Sequence, residues 1–216
     1  NNIRILDNTI DGGYYNIYFY GGTSTNDYGT NVIVKGNILS NAYYYGAYFY
    51  YTDLISLSDN TVSTRSSNVS TYYYGLYCYY CNVESLNGNK IRNFNASINY
   101  PYGIYVSYLN YYNTNKPALI SNNDIILKTA ATSAGIYVNI SRVNIMHNSI
   151  LVDGSGQNRI IYLNLSEAYA VNIKNNNLIS TSTNGCGLYI ANTSYLGSYL
   201  FMDYNNYYTA YIGYAN

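Results

Sequence analysis

One short arrangement of apolar and polar residues returns eight times along this chain. It reads apolar, any, apolar, any, turn residue, Asn, any, apolar, and its asparagines are Asn8, Asn37, Asn60, Asn89, Asn123, Asn148, Asn176 and Asn205. The separations are 29, 23, 29, 34, 25, 28 and 29 residues. Three residues before each Asn stand Ile5, Val34, Leu57, Leu86, Ile120, Ile145, Ile173 and Met202. Two residues after it stand Ile10, Leu39, Val62, Ile91, Ile125, Ile150, Leu178 and Tyr207. Alternation of this kind is the period of a strand, and no segment keeps the apolar period of a helix. The repeat therefore predicts pairs of short strands that meet at a corner.

The residue before each Asn describes that corner. Asp7, Gly36, Asp59, Gly88, Asn122, His147, Asn175 and Tyr204 occupy it, and all but Tyr204 are types that accept a left-handed backbone. A single residue with positive φ turns the chain sharply and lets the following Asn point inward. Stacked on its copies, each amide can bond the next amide and the corner backbone. Five residues before the Asn, the column reads Ile3, Val32, Ile55, Glu84, Ala118, Val143, Val171 and Leu200. An unpaired buried carboxylate is costly, so a local slip is expected at Glu84 that brings Val83 inward.

A second phrase lies between the corners: small, apolar, Tyr, apolar. Its tyrosines are Tyr18, Tyr48, Tyr77, Tyr105, Tyr137, Tyr162 and Tyr189. Strand alternation puts the flanking residues in the core and the Tyr outside. The two phrases together predict an all-β fold, a right-handed parallel β-helix (β-solenoid). It has about eight coils of roughly 28 residues, with three short strands per coil, in one domain spanning 1–216. Extra length is expected as loops after the Tyr strand (21–30 and 110–117) and before it (63–71 and 93–100). A propeller blade, with four strands and hairpin turns, does not fit this spacing.

The Tyr strand predicts a face. Two residues beyond the main column lie Tyr20, Tyr50 and Tyr79, then Ser107, Asn139, Asn164 and Ala191. Four residues before it lie Tyr14, Tyr44 and Tyr73, then Pro101, Ser133, Asn158 and Gly185. The expectation is a plate of nine rings in the first three coils. A shallow trough of Asn16, Gly46, Gly75, Gly103, Gly135, Ile160 and Gly187 should run between the columns. In the later coils a single row remains, which includes Tyr105 and Tyr137. Such a plate can stabilise the solenoid by stacking, bind sugars, or pack against another chain.

Composition narrows the partners. Tyr supplies 34 of 216 residues, Trp is absent, only 9% of residues are charged and the net charge is zero. With no basic patch, nucleic acid is not an expected partner, and no apolar run reaches the length of a membrane span. The chain opens on Asn with no charged-then-apolar leader, and so reads as a mature product or an excerpt of a longer protein. Cys78, Cys81 and Cys186 are odd in number and read as small buried or semi-buried hydrophobes rather than a disulfide framework.

The segments Tyr102-Gly103-Ile104-Tyr105-Val106, residues 134–150 and residues 171–179 resemble the parallel β-helix repeat family. That family includes NosD-like periplasmic proteins and long bacterial or archaeal surface proteins, and in fold it is similar to the pectate-lyase type. The resemblance implies secretion or a cell-surface location and frequent carbohydrate contact, without a catalytic signature of its own.

Lyases on such a fold need an acidic Ca²⁺ cluster with a basic residue, and hydrolases need a carboxylate pair. Here eight Asp and two Glu are spread thinly, and Asp7 and Asp59 share a column two coils apart. His147, the single His, sits in the corner column and can form neither a triad nor a His-based metal site. The five Asn-x-Ser/Thr sites (Asn68, Asn95, Asn139, Asn164, Asn192) are as many as this composition yields by chance. The expected function is a non-catalytic extracellular or cell-surface stalk, with no cofactor and no metal. Its tyrosine face would bind a glycan or cell-surface polymer, or copies of the chain laterally or end to end. A polysaccharide lyase or glycoside hydrolase is the alternative.

Overall fold

A computed structural model describes residues 2–24, 27–111, 116–165, 169–194 and 199–215. Parts of two expected loops, residues 25, 26 and 112–115, lie outside the described residues. Among the described residues, twenty-four strands, numbered in chain order with three to each coil, build three parallel sheets of eight. The first sheet stacks β1 (Ile3–Leu6), β4 (Gly29–Lys35), β7 (Thr52–Ser58), β10 (Asn82–Asn87), β13 (Ala118–Ser121), β16 (Val143–Met146), β19 (Val171–Lys174) and β22 (Leu200–Asp203). The second stacks β2 (Thr9–Asp11), β5 (Ile38–Ala42), β8 (Thr61–Thr64), β11 (Lys90–Asn93), β14 (Asp124–Thr129), β17 (Ser149–Gly154), β20 (Asn177–Ser180) and β23 (Asn206–Tyr208). The third carries the tyrosines: β3 (Tyr15–Tyr20), β6 (Tyr45–Tyr50), β9 (Tyr72–Tyr79), β12 (Tyr100–Ser107), β15 (Ser133–Asn139), β18 (Asn158–Asn164), β21 (Cys186–Asn192) and β24 (Tyr211–Ala215). Each coil stacks on the next to form a right-handed β-solenoid of about seven turns, with one apolar core running along its axis.

Both apolar columns beside the Asn pair in register from end to end, Ile5 to Met202 and Ile10 to Tyr207. Every corner residue from Asp7 to Tyr204 has positive φ, between 52° and 70°. Each Asn Oδ1 below Asn8 accepts both the backbone N–H and the Nδ2–H of the Asn one coil above, at 2.9–3.1 Å. Each Nδ2 below Asn8 also donates to a main-chain carbonyl of the preceding coil, from Ile5 to Ile173. Six of the eight side chains are buried, and their hydrogen-bonding capacity is met without water. That matters because an unsatisfied amide in this core costs about 1–3 kcal/mol.

The slip expected at Glu84 is present, and it begins one coil earlier. Val32 pairs with Leu54, while Ile33 pairs with Ser56, so Ile55 is the extra residue of a bulge and stands outside. Leu54 pairs with Val83, and Glu84 is carried outward over Ile55's coil. Ile55 therefore does not belong to the inward column; Leu54 does. Asn110 anchors the far side of the irregularity. Its Oδ1 accepts the Val83 N–H at 2.6 Å and its Nδ2 donates to the Val83 carbonyl at 3.0 Å.

Candidate functional site

From β6 to β21 the third sheet breaks strict alternation, and this break creates the tyrosine face. In Tyr45-Gly46-Ala47-Tyr48 both middle residues are buried, so two tyrosines three apart emerge on the same side. The glycine makes this possible. A Cβ on Gly75 would lie 2.5 Å from Ile91 Cγ2, and one on Gly103 would lie 2.7 Å from Ile125 Cγ2. The glycine column thus presses inward on the Val62–Ile91–Ile125–Ile150 column of the second sheet. The outward trough expected between the tyrosines does not exist, since its glycines face the core.

The main tyrosine column runs without a break through all eight strands of the third sheet. Tyr18, Tyr48, Tyr77, Tyr105, Tyr137, Tyr162, Tyr189 and Tyr214 stack with centroids 4.3–5.3 Å apart and planes within 17°. A second column, Tyr15, Tyr45, Tyr74 and Tyr102, stacks beside it at 4.9–5.0 Å. Within each of these coils the two rings meet edge to face at 5.0–5.5 Å. The result is a herringbone grid, and each ring pair is worth about 0.5–1.5 kcal/mol beyond area burial.

This second column was missed in the sequence, although Tyr-x-x-Tyr in each of the first four coils signals it. Tyr51, Tyr80 and Tyr108 were also missed. They form another left-handed corner, with φ of 45°, 49° and 54°, and stack at 5.3 and 4.4 Å. Tyr20, Tyr50 and Tyr79 form the expected outer row, with centroids 5.0 and 5.2 Å apart. The row continues as Ser107, Asn139 and Asn164, joined by amide hydrogen bonds of 2.8 and 2.7 Å. It ends opposite Asn192 rather than Ala191, because the register shifts after Leu163.

The expected third row fails at Tyr73. Tyr14 and Tyr44 stack outside at 5.2 Å, but Tyr73 is fully buried against Ala42, Ile98 and Val69. Val69 and Ile98 come from the connections before β9 and β12, which cover this end of the strand. Pro101, Ser133, Asn158 and Gly185, in the same column, are buried as well. The plate of nine thus holds eight of its predicted rings and gains the Tyr15 column.

Neighbouring rings cover one another's faces, so the interior of the grid presents ring rims and hydroxyls to solvent. Tyr18 and Tyr214, at its two ends, are 54% and 55% exposed, while the rings between them are half-buried. Burial, then the neighbouring phenols Tyr18 and Tyr15, pushes Tyr48 up to about 12, and burial pushes Tyr102 up to about 12. Tyr45, Tyr74, Tyr77 and Tyr137 are raised for the same first reason. Burial thus disfavours the charged form of these six phenols.

Six aspartates are engaged in local contacts. Asp11 accepts from Ser40 and Asn41, which hold it below the usual carboxylate range, while Asp53 accepts from Asn82 and Asp153 from Thr181. Asp59 pairs with Lys35, and Asp124 with Arg92. Asp7 and Asp59 lie over Gly36 and Gly88, whose missing Cβ atoms make room for the carboxylates. Cys78, Cys81 and Cys186 are free and buried, as the composition suggested. Among the described residues no cluster of three or more His, Cys, Asp or Glu could hold a metal ion, and no helix is long and apolar enough to cross a membrane. The chain matches no family model, no curated protein and no solved structure.

Proposed function

We propose that this chain is a non-catalytic β-helical stalk, exposed on a cell surface or secreted, that adheres to glycans through its tyrosine face. The observation that carries this reading is the uninterrupted row from Tyr18 to Tyr214 beside the Tyr15–Tyr102 column. Its strands are in register, so its outward hydroxyls repeat at about the 4.8 Å strand spacing. Such a surface meets a polysaccharide with phenol hydroxyls for its hydroxyl groups and ring rims for its C–H surface, at low side-chain entropy cost. The employment of Asp11, Asp53, Asp59, Asp124 and Asp153 in hydrogen bonds and ion pairs supports a non-catalytic role.

Glycan-array binding tests the proposal. The double variant Tyr48→Ala with Tyr77→Ala should lose binding while keeping the strand signal in circular dichroism. Binding that survives both substitutions removes the reading. Association between copies through the same face is the competing outcome, and would show as concentration-dependent sedimentation abolished by the same pair. Release of sugar products from a polysaccharide would instead favour the lyase or hydrolase alternative.

A further inference from the structure

The herringbone grid has one gap, in the column that begins at Tyr15. Register continues this column from Tyr102 through Ala134, Arg159 and Cys186 to Tyr211. Small or charged residues thus replace three rings, and a notch of about 440 Å³ opens beside the main row. Gln157, Arg159, Asn184, Cys186, Tyr189 and Tyr211 line it.

Arg159 gives the notch its chemistry. Its guanidinium lies 4.1 Å from the Tyr189 ring centroid and 5.3 Å from that of Tyr162. Both ion pairs among the described residues belong to other cations, Lys35 and Arg92, and Arg159 has only a long contact of 3.4 Å to Gln157 Oε1. Among the described residues no acidic side chain lines the notch. Burial pushes the Cys186 thiol up despite the nearby arginine, so the thiol carries no charge that could neutralise it. A guanidinium held against aromatic rings, without a carboxylate, keeps its planar fork free for a bidentate anion.

The walls supply the rest of a sugar site. Tyr211 stacks on no other ring among the described residues, and Cys186 stands on the preceding coil where a covering tyrosine would be. In the main row from Tyr48 to Tyr189 each ring is stacked on both sides; the Tyr211 ring has no such neighbour toward Cys186. The side-chain amides of Gln157 and Asn184 in its lining can bond hydroxyl groups. The volume suits one or two sugar rings.

We infer that this notch is a subsite for a carboxylate-bearing sugar. The carboxylate pairs with Arg159 and the pyranose ring packs on Tyr211. This deepens the glycan reading by naming the charge of the sugar bound, and it occupies coils distant from Tyr48 and Tyr77.

The test is calorimetric or NMR titration of the full chain with glucuronate, glucose and acetate. Glucuronate should bind saturably and at least tenfold more tightly than either control, since only it supplies both ring and carboxylate. Arg159→Gln should weaken glucuronate at least tenfold, Arg159→Lys should weaken it by less, and Tyr211→Ala should weaken it without making the remainder insensitive to salt. Acetate equal to glucuronate, glucose equal to glucuronate, or unchanged binding in Arg159→Gln each overturns the inference. Tyr48→Ala with Tyr77→Ala should leave glucuronate binding intact. Loss of polymer adhesion in that variant with glucuronate retained separates the two sites. Polymer adhesion retained in Arg159→Gln when glucuronate fails in every form sinks the notch and spares the face.

Discussion

Replacing Asn89 by Ala tests whether the inner amide ladder holds the coils together by hydrogen bonding or merely fills space. In the intact chain Asn89 Oδ1 accepts the Asn60 N–H at 3.1 Å and the Asn60 Nδ2–H at 3.0 Å. Asn89 Nδ2 donates to Leu57 O at 2.9 Å and to Asn123 Oδ1 at 3.0 Å. Removing the side chain leaves the Asn60 backbone N–H and one of its amide hydrogens without acceptors in a fully buried site. Two orphaned donors at about 1–3 kcal/mol each predict a loss of about 2–6 kcal/mol. Asn8→Ala provides the comparison. Asn8 is exposed, its own oxygen accepts from no neighbour, and Asn37 Oδ1 keeps the Asn8 N–H. No buried donor is orphaned there, so the loss should be about 1 kcal/mol or less. Equilibrium urea unfolding followed by circular dichroism should place the Asn89→Ala midpoint about 1 M below that of Asn8→Ala. Asn89→Leu refills most of the volume but leaves the same donors unpaired, and should be as unstable as the Ala variant. Equal midpoints for Asn8→Ala and Asn89→Ala, or recovery in Asn89→Leu, would refute the hydrogen-bond account.

Three further outcomes follow from the same structure. The Tyr73 hydroxyl is buried with no hydrogen-bond partner, so Tyr73→Phe should raise the urea midpoint, by about 1 kcal/mol of stability; a lower midpoint would mean the hydroxyl is satisfied. Gly75→Ala should cost about 1–3 kcal/mol, because its Cβ would meet Gly103 O and Ile91 Cγ2, both at 2.5 Å. Gly213→Ala, with its nearest contact at 3.8 Å, should stay within about 0.5 kcal/mol in the same unfolding assay. Stability should also fall with alkali. Unfolded phenols lose their protons near pH 10, whereas Tyr48 and Tyr102 hold theirs to about 12, so the unfolded state binds fewer protons across that window. The folded state is thus fully favoured below about pH 10 and loses this advantage as pH rises toward about 12. Phenolate absorbance should show a late step that shrinks in Tyr48→Phe; a single step near pH 10 would contradict the burial of the grid.

Much of this architecture was legible in the chain because a solenoid repeats one local problem. Each coil needs an amide that bonds its copies, a residue before it that accepts positive φ, and apolar side chains on alternate positions. Those needs are met within a few residues, so the Asn8–Asn205 ladder, the corner from Asp7 to Tyr204 and the row from Tyr18 to Tyr189 can be read from spacing alone. Even the buried-carboxylate argument at Glu84 located a real irregularity. What it lacked was the neighbour: Ile55 is apolar and gives no warning, yet it must bulge so that Val83 can pair with Leu54.

Tertiary structure decided which way the exceptions face. Strict alternation sends the glycine of Tyr45-Gly46-Ala47-Tyr48 outward, but the second sheet approaches so closely that only a residue without Cβ fits against Val62. Tyr73 and Tyr44 share a column, and Tyr73 turns inward because Val69 and Ile98, supplied by connections from different coils, enclose it. The charge on Arg159 is plain in the sequence. That it stands unpaired beside a bare ring depends on what lies one coil above and one coil below. Local repetition sets the coil, while contact between coils sets its surface, because an outward side chain is defined only by the neighbours that leave it uncovered.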